Sequence, residues 1–316
     1  MPATIIINRR SDFIYDIILQ PLMLRRSKLC YNMLMVKPPV DEVQLIEYHA
    51  TSIRRQIIQM LALAGSGHPA SSLGLVEVLA CLYFNVLRYN PADPNDDQRD
   101  LLVMSNGHAC PVLYATLAEA GLIDPLELRH LRQYGSRLQG HPERTRLPWL
   151  ETTSGPLGEG LSQAAGMAYS LRHLDSPNDR RVYCIVSDGE LDEGNIWEAV
   201  MFAGKYHLAN LVAIVDCNDI QLSGRVDQVM PLGDLAQRWR AAGWRVSQIT
   251  DGNDVTELLT VLGNIQGARR AGKPLVLLTH TCPGKGVSFM EHDYHWHGRP
   301  LSEAEAGRAL AELGVR

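Results

Sequence analysis

Two side chains that can supply oxygen ligands follow two neighbouring apolar runs of the sequence. Asp188 comes just after the run 182–186, and Asn218 just after the run 211–215. A carboxylate, a side-chain amide and nearby backbone carbonyls suit a hard cation such as Mg²⁺, which takes about six oxygen ligands and often shares them with a phosphate. The spacing therefore predicts a magnesium site that serves a phosphate-bearing ligand.

The segments around these two residues predict a strand–turn–helix–strand unit. Both apolar runs have the length and the β-branched content of strands that are buried on both faces. Residues 196–207 carry apolar side chains at helical spacing, so the unit is expected to be a right-handed βαβ crossover. Ligands of open parallel sheets bind outside the carboxyl ends of the strands, where this unit would place Asp188 and Asn218. Taken alone, Asp-Gly after a strand also fits an ordinary turn, and Asn an ordinary cap.

Other polar residues lie in short loops that could meet the same ligand. His68 lies in a Ser-Gly-His-Pro turn, and His108 at a predicted strand-to-helix junction, where backbone N–H groups and the helix dipole favour anions. The closely spaced glycines of GPLGEG, residues 155–160, let the backbone approach a flat ring or a phosphate. This loop is not a dinucleotide fingerprint, because no strand with GxGxxG opens the helix.

Several of these stretches resemble one enzyme family. Asp188-Gly189, thirty positions before Asn218, resembles the GDG…N signature of thiamine diphosphate enzymes, and DGELDEG and AIVDCNDIQLSG are similar more narrowly to transketolase. SGHPAS, SNGHAC, GHPE, GPLGEG and HTCPGKGV…WHG extend the resemblance over roughly residues 43–316. The chain carries Ala70, Glu159 and Ser187 where the family has Gly, Gln and Gly.

The resemblance implies catalytic roles for three histidines. His68 would line the substrate channel over the thiazolium ring, and His141, in GHPE, would reach the C1 hydroxyl of the donor sugar. His297, in WHG, would bridge the diphosphate and the substrate. His292 and His295 have no counterpart and are expected to face solvent; a zinc site in this histidine-rich segment is a weaker alternative, because a matching Cys or carboxylate framework is missing.

The resemblance also implies the ligands of thiamine diphosphate and Mg²⁺. The metal would be held by Asp188, Asn218 and the backbone carbonyl of Ile220. The cofactor would contact the residues His108, Gly155, Leu157, Gly189, Asn218 and His297, with the backbone at Gly155 and Leu157 facing the aminopyrimidine. Glu193 matches a family residue of the interface between cofactor-binding domains.

The remaining pattern predicts an α/β fold, a doubly wound parallel sheet with helices on both faces. Further strands are expected at 100–104, 244–249 and 275–279, and helices at 41–64, 75–86, 126–134, 161–171, 232–242, 254–270 and 301–313. Residues 43–316 would form the cofactor-binding domain. Residues 1–42 would be an extension with three interpretations: a start assigned too early, with the true beginning near Met33 or Met35, a poorly ordered arm, or a targeting segment.

Composition excludes several classes of function. The 316 residues are 46% hydrophobic and 21% charged, with a net charge of −5 and no basic run, so no nucleic-acid partner is expected. No apolar stretch reaches the ~18 residues that span a bilayer, so no membrane partner is expected either. The six cysteines are scattered without a CxxC pair, which predicts buried free thiols in a reducing cytosol and thus a cytoplasmic protein.

The family's pyrimidine-binding domain, which carries the glutamate that activates the cofactor, has no counterpart before Arg316. The resemblance thus implies the N-terminal subunit of a split transketolase, working with a C-terminal subunit in a heterotetramer of two copies of each. Together they would transfer a two-carbon ketol unit from a ketose to an aldose, as free sugars or phosphates, for example in the pentose phosphate pathway. Two alternatives stay open: a 2-oxo acid dehydrogenase α-type subunit, and a non-catalytic cofactor-binding or regulatory homologue.

Overall fold

A five-stranded parallel sheet forms the centre of the computed structural model, which describes residues 38–175, 179–265 and 272–315. The strands of this sheet are β1 (Leu101–Met104), β2 (Val182–Ser187), β3 (Leu211–Asp216), β6 (Arg245–Ile249) and β7 (Leu275–Thr279). Their order is β1-β2-β3-β7-β6, and every neighbouring pair is parallel. A separate two-stranded antiparallel ribbon, β4 (Ile220–Gln221) and β5 (Gly224–Arg225), was not predicted.

Ten α-helices accompany the strands within the described residues. They are α1 (Val40–Ala64), α2 (Pro69–Gly74), α3 (Val76–Cys81), α4 (Cys110–Glu119), α5 (Glu159–His173), α6 (Gly194–Lys205), α7 (Val226–Val229), α8 (Leu235–Ala241), α9 (Val255–Gly263) and α10 (Glu303–Glu312). Short 3₁₀ turns at Gly107–Ala109, Pro125–His130, Gly189–Asp192 and Tyr294–Trp296 connect these elements.

Helices cover both faces of the sheet. Along β2, Tyr183 and Ile185 pack into a core formed with α1, α3 and α4, whereas Val182, Cys184 and Val186 pack into a second core formed with α5, α6 and α8. This division follows from the alternation of side chains along a strand. The predicted doubly wound fold is therefore confirmed, as is the βαβ unit of β2, α6 and β3.

Two helix predictions were wrong. The helix predicted at 75–86 begins earlier, at Pro69, is interrupted at Leu75, and ends in a π-turn at Leu82–Val86. Proline is tolerated at the first helical position because its missing N–H has no partner there in any case. The helix predicted at 126–134 is only the 3₁₀ turn Pro125–His130. The helix predicted at 254–270 is described as far as Gly263, and residues 266–270 lie outside the described residues.

The predictions for residues 1–42 concern mainly residues 1–37, which lie outside the described residues. Helix α1 begins at Val40, just before the domain boundary expected at residue 43. The five cysteines in the described part, all but Cys30, are free thiols, as predicted. In the same part of the chain, no helix combines the length and apolar character needed to cross a membrane.

Candidate functional site

The predicted metal ligands meet at the carboxyl ends of β2 and β3. Asp188 directly follows β2, and its carboxylate accepts hydrogen bonds from the N–H of Gly189 at 2.8 Å and from the N–H of Asp219 at 2.7 Å. The side-chain oxygen of Asn218 accepts from the N–H of Ile220 at 3.1 Å. The loop after β3 thus wraps around Asp188, and the three residues predicted to hold Mg²⁺ share one turn region.

Asp216, which was not predicted, orients the Asn218 side chain. The Asn218 amide nitrogen donates to one carboxylate oxygen of Asp216 at 2.9 Å, and the Thr281 hydroxyl donates to the other. Asp216 is fully buried at the last position of β3. Because the amide nitrogen is engaged by Asp216, the amide oxygen of Asn218 is turned away from it and toward the Ile220 side of the loop.

The buried carboxylates of this region fit a divalent cation. Asp188 is 4% exposed, and burial, together with the nearby Asp216, raises its pKa to about 8. A buried carboxylate without a counter-charge is costly, and a cation that shares its oxygens would offset the cost. The described residues contain no cluster of three or more His, Cys, Asp or Glu suited to a metal. The predicted metal ligands do not require such a cluster, because they are a carboxylate, a side-chain amide and a backbone carbonyl.

Three of the predicted histidines lie together. The ring centroids of His68 and His108 are 4.8 Å apart, those of His108 and His297 5.2 Å, and those of His68 and His297 5.5 Å. The prediction that these residues share one site is supported by this geometry.

Local structure explains where two of these rings lie. His68 immediately precedes α2, whose first residue is Pro69, and its carbonyl accepts the Ser72 hydroxyl at 2.6 Å. His108 lies in the 3₁₀ turn between β1 and α4. Both backbones are fixed by the start of a helix, and their imidazoles meet in the cluster.

The histidine cluster carries little positive charge near neutral pH. Burial, followed by the charges of neighbouring imidazoles, lowers the pKa of His108 to about 3. Burial, followed by the charges of His297 and Arg132, lowers the pKa of His68 to about 4. Burial also lowers the pKa of His297. Neutral imidazoles can accept a proton from a bound hydroxyl or donate a hydrogen bond to an oxygen.

The cleft also contains buried polar atoms that no described residue satisfies. They are His68 Nδ1, His108 Nε2, His297 Nδ1 and both side-chain polar atoms of Asn106. Buried polar atoms are nearly always hydrogen-bonded in folded proteins. Their concentration around one cluster of rings therefore fits a polar ligand such as a diphosphate or a sugar.

His141 lies in an exposed loop at the side of this cluster. Its charge contributes to the lowered pKa of both His68 and His108, and burial and Arg132 lower its own pKa. The loop is held from α4, because the Tyr114 hydroxyl donates to the Gln139 carbonyl at 3.0 Å. His141 thus belongs to the same region, but it is more accessible than the other three histidines.

The predicted glycine loop, residues 155–160, packs against the His108 turn. A Cβ placed on Gly107 would lie 3.2 Å from the Gly155 nitrogen, so the two backbones approach more closely than a side chain allows. Gly158 has φ +85°, and a Cβ there would overlap the Asn195 side chain. Leu157 is 38% exposed at the tip of this loop. The loop is therefore positioned by glycine contacts at both ends.

Glu190, which was also not predicted, anchors this loop from the metal side. It is completely buried, and its carboxylate accepts hydrogen bonds from Gly158 N–H at 2.5 Å, from Ser187 N–H at 3.2 Å and from the Ser105 hydroxyl. Ser105 in turn accepts from Gly160 N–H at 3.1 Å. One carboxylate thus joins the ends of β1 and β2 to the glycine loop.

The ribbon after Ile220 connects the metal turn to the histidine cluster. A Cβ on Gly189 would lie 2.9 Å from the Gln221 side chain. A Cβ on Gly298 would lie 3.5 Å from both Leu222 Cδ1 and His68 Nε2. The residues predicted for the cofactor and for catalysis therefore line one continuous region at the carboxyl edge of the sheet.

The neighbouring residues of the 280–297 segment lie apart from this region. His292 and His295 are exposed, as expected. His295 pairs with Asp293 at 2.6 Å, and His292 Nε2 lies 3.4 Å from Cys282 Sγ. Glu193 is exposed on the turn before α6, so a partner chain can reach it.

Comparison with known proteins gives one consistent result. Residues 47–316 match the family described as "Transketolase, thiamine diphosphate binding domain". The chain is 38% identical to human transketolase over 277 residues. The aligned segment covers 88% of this chain but 43% of human transketolase. It thus spans less than half the length of the first curated relatives that it matches.

A shorter relative matches almost from end to end. The 6-deoxy-6-sulfo-D-fructose transketolase subunit of Clostridium sp. (strain MSTE9) is 40% identical over 269 residues, which are 85% of this chain and 96% of that one. Among solved structures, transketolase from Leishmania mexicana superposes with a TM-score of 0.80 at 34% identity, covering 85% of this chain and 41% of that chain.

Proposed function

Since the chain belongs to the transketolase family and contains its thiamine diphosphate binding domain, we propose that it is the diphosphate-binding subunit of a two-chain transketolase. With a partner subunit it transfers a two-carbon ketol unit from a ketose to an aldose. The observation that carries this proposal is the cluster of three histidines, which the Gln221–Leu222 segment connects to the Asp188 and Asn218 turn.

The cofactor residues follow from their positions. Asp188, Asn218 and the carbonyl of Ile220 would hold Mg²⁺, and Gly189 lets the turn approach Gln221 closely. His108 and His297 would bind the diphosphate, and the backbone of the 155–160 loop would contact the aminopyrimidine. The bound thiamine diphosphate supplies the carbanion chemistry.

The histidines serve the substrate hydroxyls. His68, half-buried and neutral, and His297 beside it are suited to accept and return protons at the reacting end of the sugar. His141 lies on the accessible side of the cleft and would contact the donor's terminal hydroxyl. Because the lowered pKa values keep these rings unprotonated at neutral pH, their free ring nitrogens can accept hydrogen bonds from substrate hydroxyls.

The partner subunit supplies the pyrimidine-binding domain and the activating glutamate. The near end-to-end match to a protein named as a transketolase subunit supports this division between chains. We further propose an assembly of two copies of each subunit, with Glu193 at the contact between cofactor-binding domains, in the cytoplasm. The unpaired thiols of the described residues support a reducing compartment.

Cofactor binding is the first test. The chain, mixed with the product of the adjacent reading frame, should bind thiamine diphosphate in a Mg²⁺-dependent manner by isothermal titration calorimetry. Asp188→Ala should abolish this binding, whereas Asp97→Ala, which removes an exposed carboxylate far from the turn, should leave it unchanged. Equal binding by both variants would contradict the metal assignment.

Turnover is the second test. Ketol transfer to ribose 5-phosphate is measured with two donors, xylulose 5-phosphate and 6-deoxy-6-sulfo-D-fructose. Decarboxylation of pyruvate is measured separately as a control for the 2-oxo acid alternative. Transfer from either sugar in the mixture, but not from the chain alone, is the expected result. Consumption of pyruvate alone, or no turnover despite tight cofactor binding, would contradict the proposed reaction.

A further inference from the structure

The Arg132 side chain lies between the two loops that carry His68 and His141. Its Nη1 donates to the Ser66 hydroxyl and its Nη2 to the Gly140 carbonyl, both at 3.3 Å. Ser66 comes two residues before His68, and Gly140 directly precedes His141. A single guanidinium therefore contacts both loops next to their histidines.

The backbone around Arg132 is shaped for this placement. Arg132 has φ +61°, which is unusual for a residue with a side chain, and its N–H donates to the Leu138 carbonyl at 2.9 Å. A Cβ on Gly140 would lie 2.8 Å from Arg132 Nε, so the glycine leaves the space that the guanidinium occupies. A left-handed residue and a facing glycine together fix the arginine between the loops.

The charge of Arg132 is not neutralised within the described part of the chain. It forms no ion pair there, whereas Arg54 pairs with Glu77 and Arg99 with Glu151. Its Nε is buried without a partner among the same residues. An arginine that served only as a brace would be expected to have a carboxylate partner, because a half-buried charge is costly without one.

We propose that Arg132 is a positioning residue of the cleft, which clamps the 66–68 and 139–141 loops together and gives their side of the cleft a fixed positive charge. The clamp sets the separation of His68 and His141. The charge acts on both rings, since like charges oppose protonation of a nearby imidazole.

The surroundings of the two rings agree with this assignment. His68 faces His108, His141, His297 and Arg132, and Arg132 contributes to its lowered pKa after burial and His297. For His141, burial is the larger cause and Arg132 the second. No carboxylate contributes to either shift, so Arg132 is the one permanently charged group that acts on these rings among the described residues.

The test measures histidine titration in the chain alone, without cofactor or partner. The functional meaning of the clamp rests on the proposed function, but histidine titration does not depend on turnover. The clamp and the proposed function can therefore fail separately. Proton NMR follows the ring signals from pH 4 to 9, and the His141→Gln variant identifies the His141 signal. Arg132→Met should raise the proton affinity of His141 at least threefold, since it removes a nearby positive charge.

A charge-conserving variant separates the two parts of the proposal. Arg132→Lys keeps the charge but lacks the planar fork that reaches both loops. It should leave the His141 titration close to that of the parent, while hydrogen exchange of the 66–68 and 139–141 amides accelerates about as much as in Arg132→Met. Arg137→Met, which removes an exposed arginine paired with Glu127, is the matched control and should change neither.

Either of two results would overturn the proposal. One is an unchanged His141 titration in Arg132→Met, and the other is unchanged amide exchange in both Arg132 variants. If Arg132→Met loses the native near-ultraviolet circular dichroism, Arg132→Gln replaces it, because the amide keeps a polar stem without charge, and the same two outcomes apply.

Discussion

The Glu190 carboxylate accepts a hydrogen bond from the Gly158 N–H at 2.5 Å, which fastens the glycine loop to the turn after Asp188, a proposed metal ligand. The two elements are about 30 residues apart in sequence. Each would bind a different part of thiamine diphosphate, so their relative position determines whether both ends of the cofactor can be held at once. A buried carboxylate with three donors is suited to fix that position.

Glu190→Gln should weaken the fold and the cofactor site together. An amide presents one oxygen where the carboxylate presents two, so at least one of the donors from Gly158, Ser187 and Ser105 loses its acceptor. A buried donor without a partner costs about 1–3 kcal/mol of the free energy of unfolding. Urea unfolding measures the loss, and calorimetry should show weaker thiamine diphosphate binding. Glu193→Gln changes an exposed neighbour, and its free energy of unfolding should stay within about 0.5 kcal/mol of that of the parent. Equal unfolding curves for the parent and both variants would refute the role of Glu190.

Asp216→Ala should weaken metal binding without removing a metal ligand. The Asn218 amide loses the acceptor that fixes its orientation, so its oxygen is presented to the metal for only part of the time. Loss of such a supporting hydrogen bond typically costs 10–100-fold in metal affinity, which Mn²⁺ titration followed by electron paramagnetic resonance can measure. Thr281→Val removes the other hydrogen bond of Asp216 but spares Asn218, so its effect should be clearly smaller. Equal losses in both variants would show that Asp216 does not act through Asn218.

Two glycine-to-alanine variants should differ in sign. Gly158→Ala places a methyl group against Asn195 at a positive φ, so we expect a loss of more than about 1 kcal/mol in the free energy of unfolding. Gly166 lies on the exposed face of α5 with no atom near its Cβ position. Gly166→Ala should therefore gain up to about 1 kcal/mol from helix propensity. Thermal unfolding of both variants provides the comparison, and destabilisation by Gly166→Ala would count against the description of α5.

The chain should lose stability in mild acid because of His108. Its pKa is about 3 in the folded chain and 6.5 in the unfolded one, so between these values the unfolded chain binds a proton that the folded chain does not. Stability is therefore present above pH 6.5 and falls with decreasing pH. From pH 7 to pH 5 this linkage amounts to about 2 kcal/mol.

His108→Asn removes the titrating group, so its free energy of unfolding should fall less steeply between pH 7 and pH 5 than that of the parent. Urea unfolding at several pH values gives the slopes. His292→Asn, which alters an exposed histidine, should keep the parent slope. If His108→Asn also keeps it, His108 is not neutral in the folded chain.

The sequence was sufficient to predict the sheet, and to bring forward the Asp188 and Asn218 turn and the histidines as candidates, because each has a strong local pattern. Strands buried on both faces appear in the sequence as continuous apolar runs. A polar residue that directly follows such a run lies at the carboxyl edge of the sheet, independently of the other elements of the fold. His68 and His108 lie in turns with distinctive glycine and proline neighbours. These features depend on few residues and were therefore visible before the fold was known.

Glu190, Asp216 and Arg132 could not be found in this way. Nothing local distinguishes Glu190 from its exposed neighbour Glu193; its burial depends on donors from Ser105 and Gly158, which only the fold brings near. The same holds for Asp216, whose second donor is Thr281. The break at Leu75 was missed for a related reason, since tertiary packing rather than helical periodicity determines where a buried helix is interrupted.

The distance along the chain between His68 and His297 has a consequence for biosynthesis. A ribosome adds about 5–20 residues per second, so roughly 10 to 50 seconds separate the appearance of the two residues. The apolar strands β1 to β3 are made within this interval, before residue 297 can complete the histidine cluster. A cofactor bound at this cluster would therefore stabilise only the finished subunit and not the nascent chain.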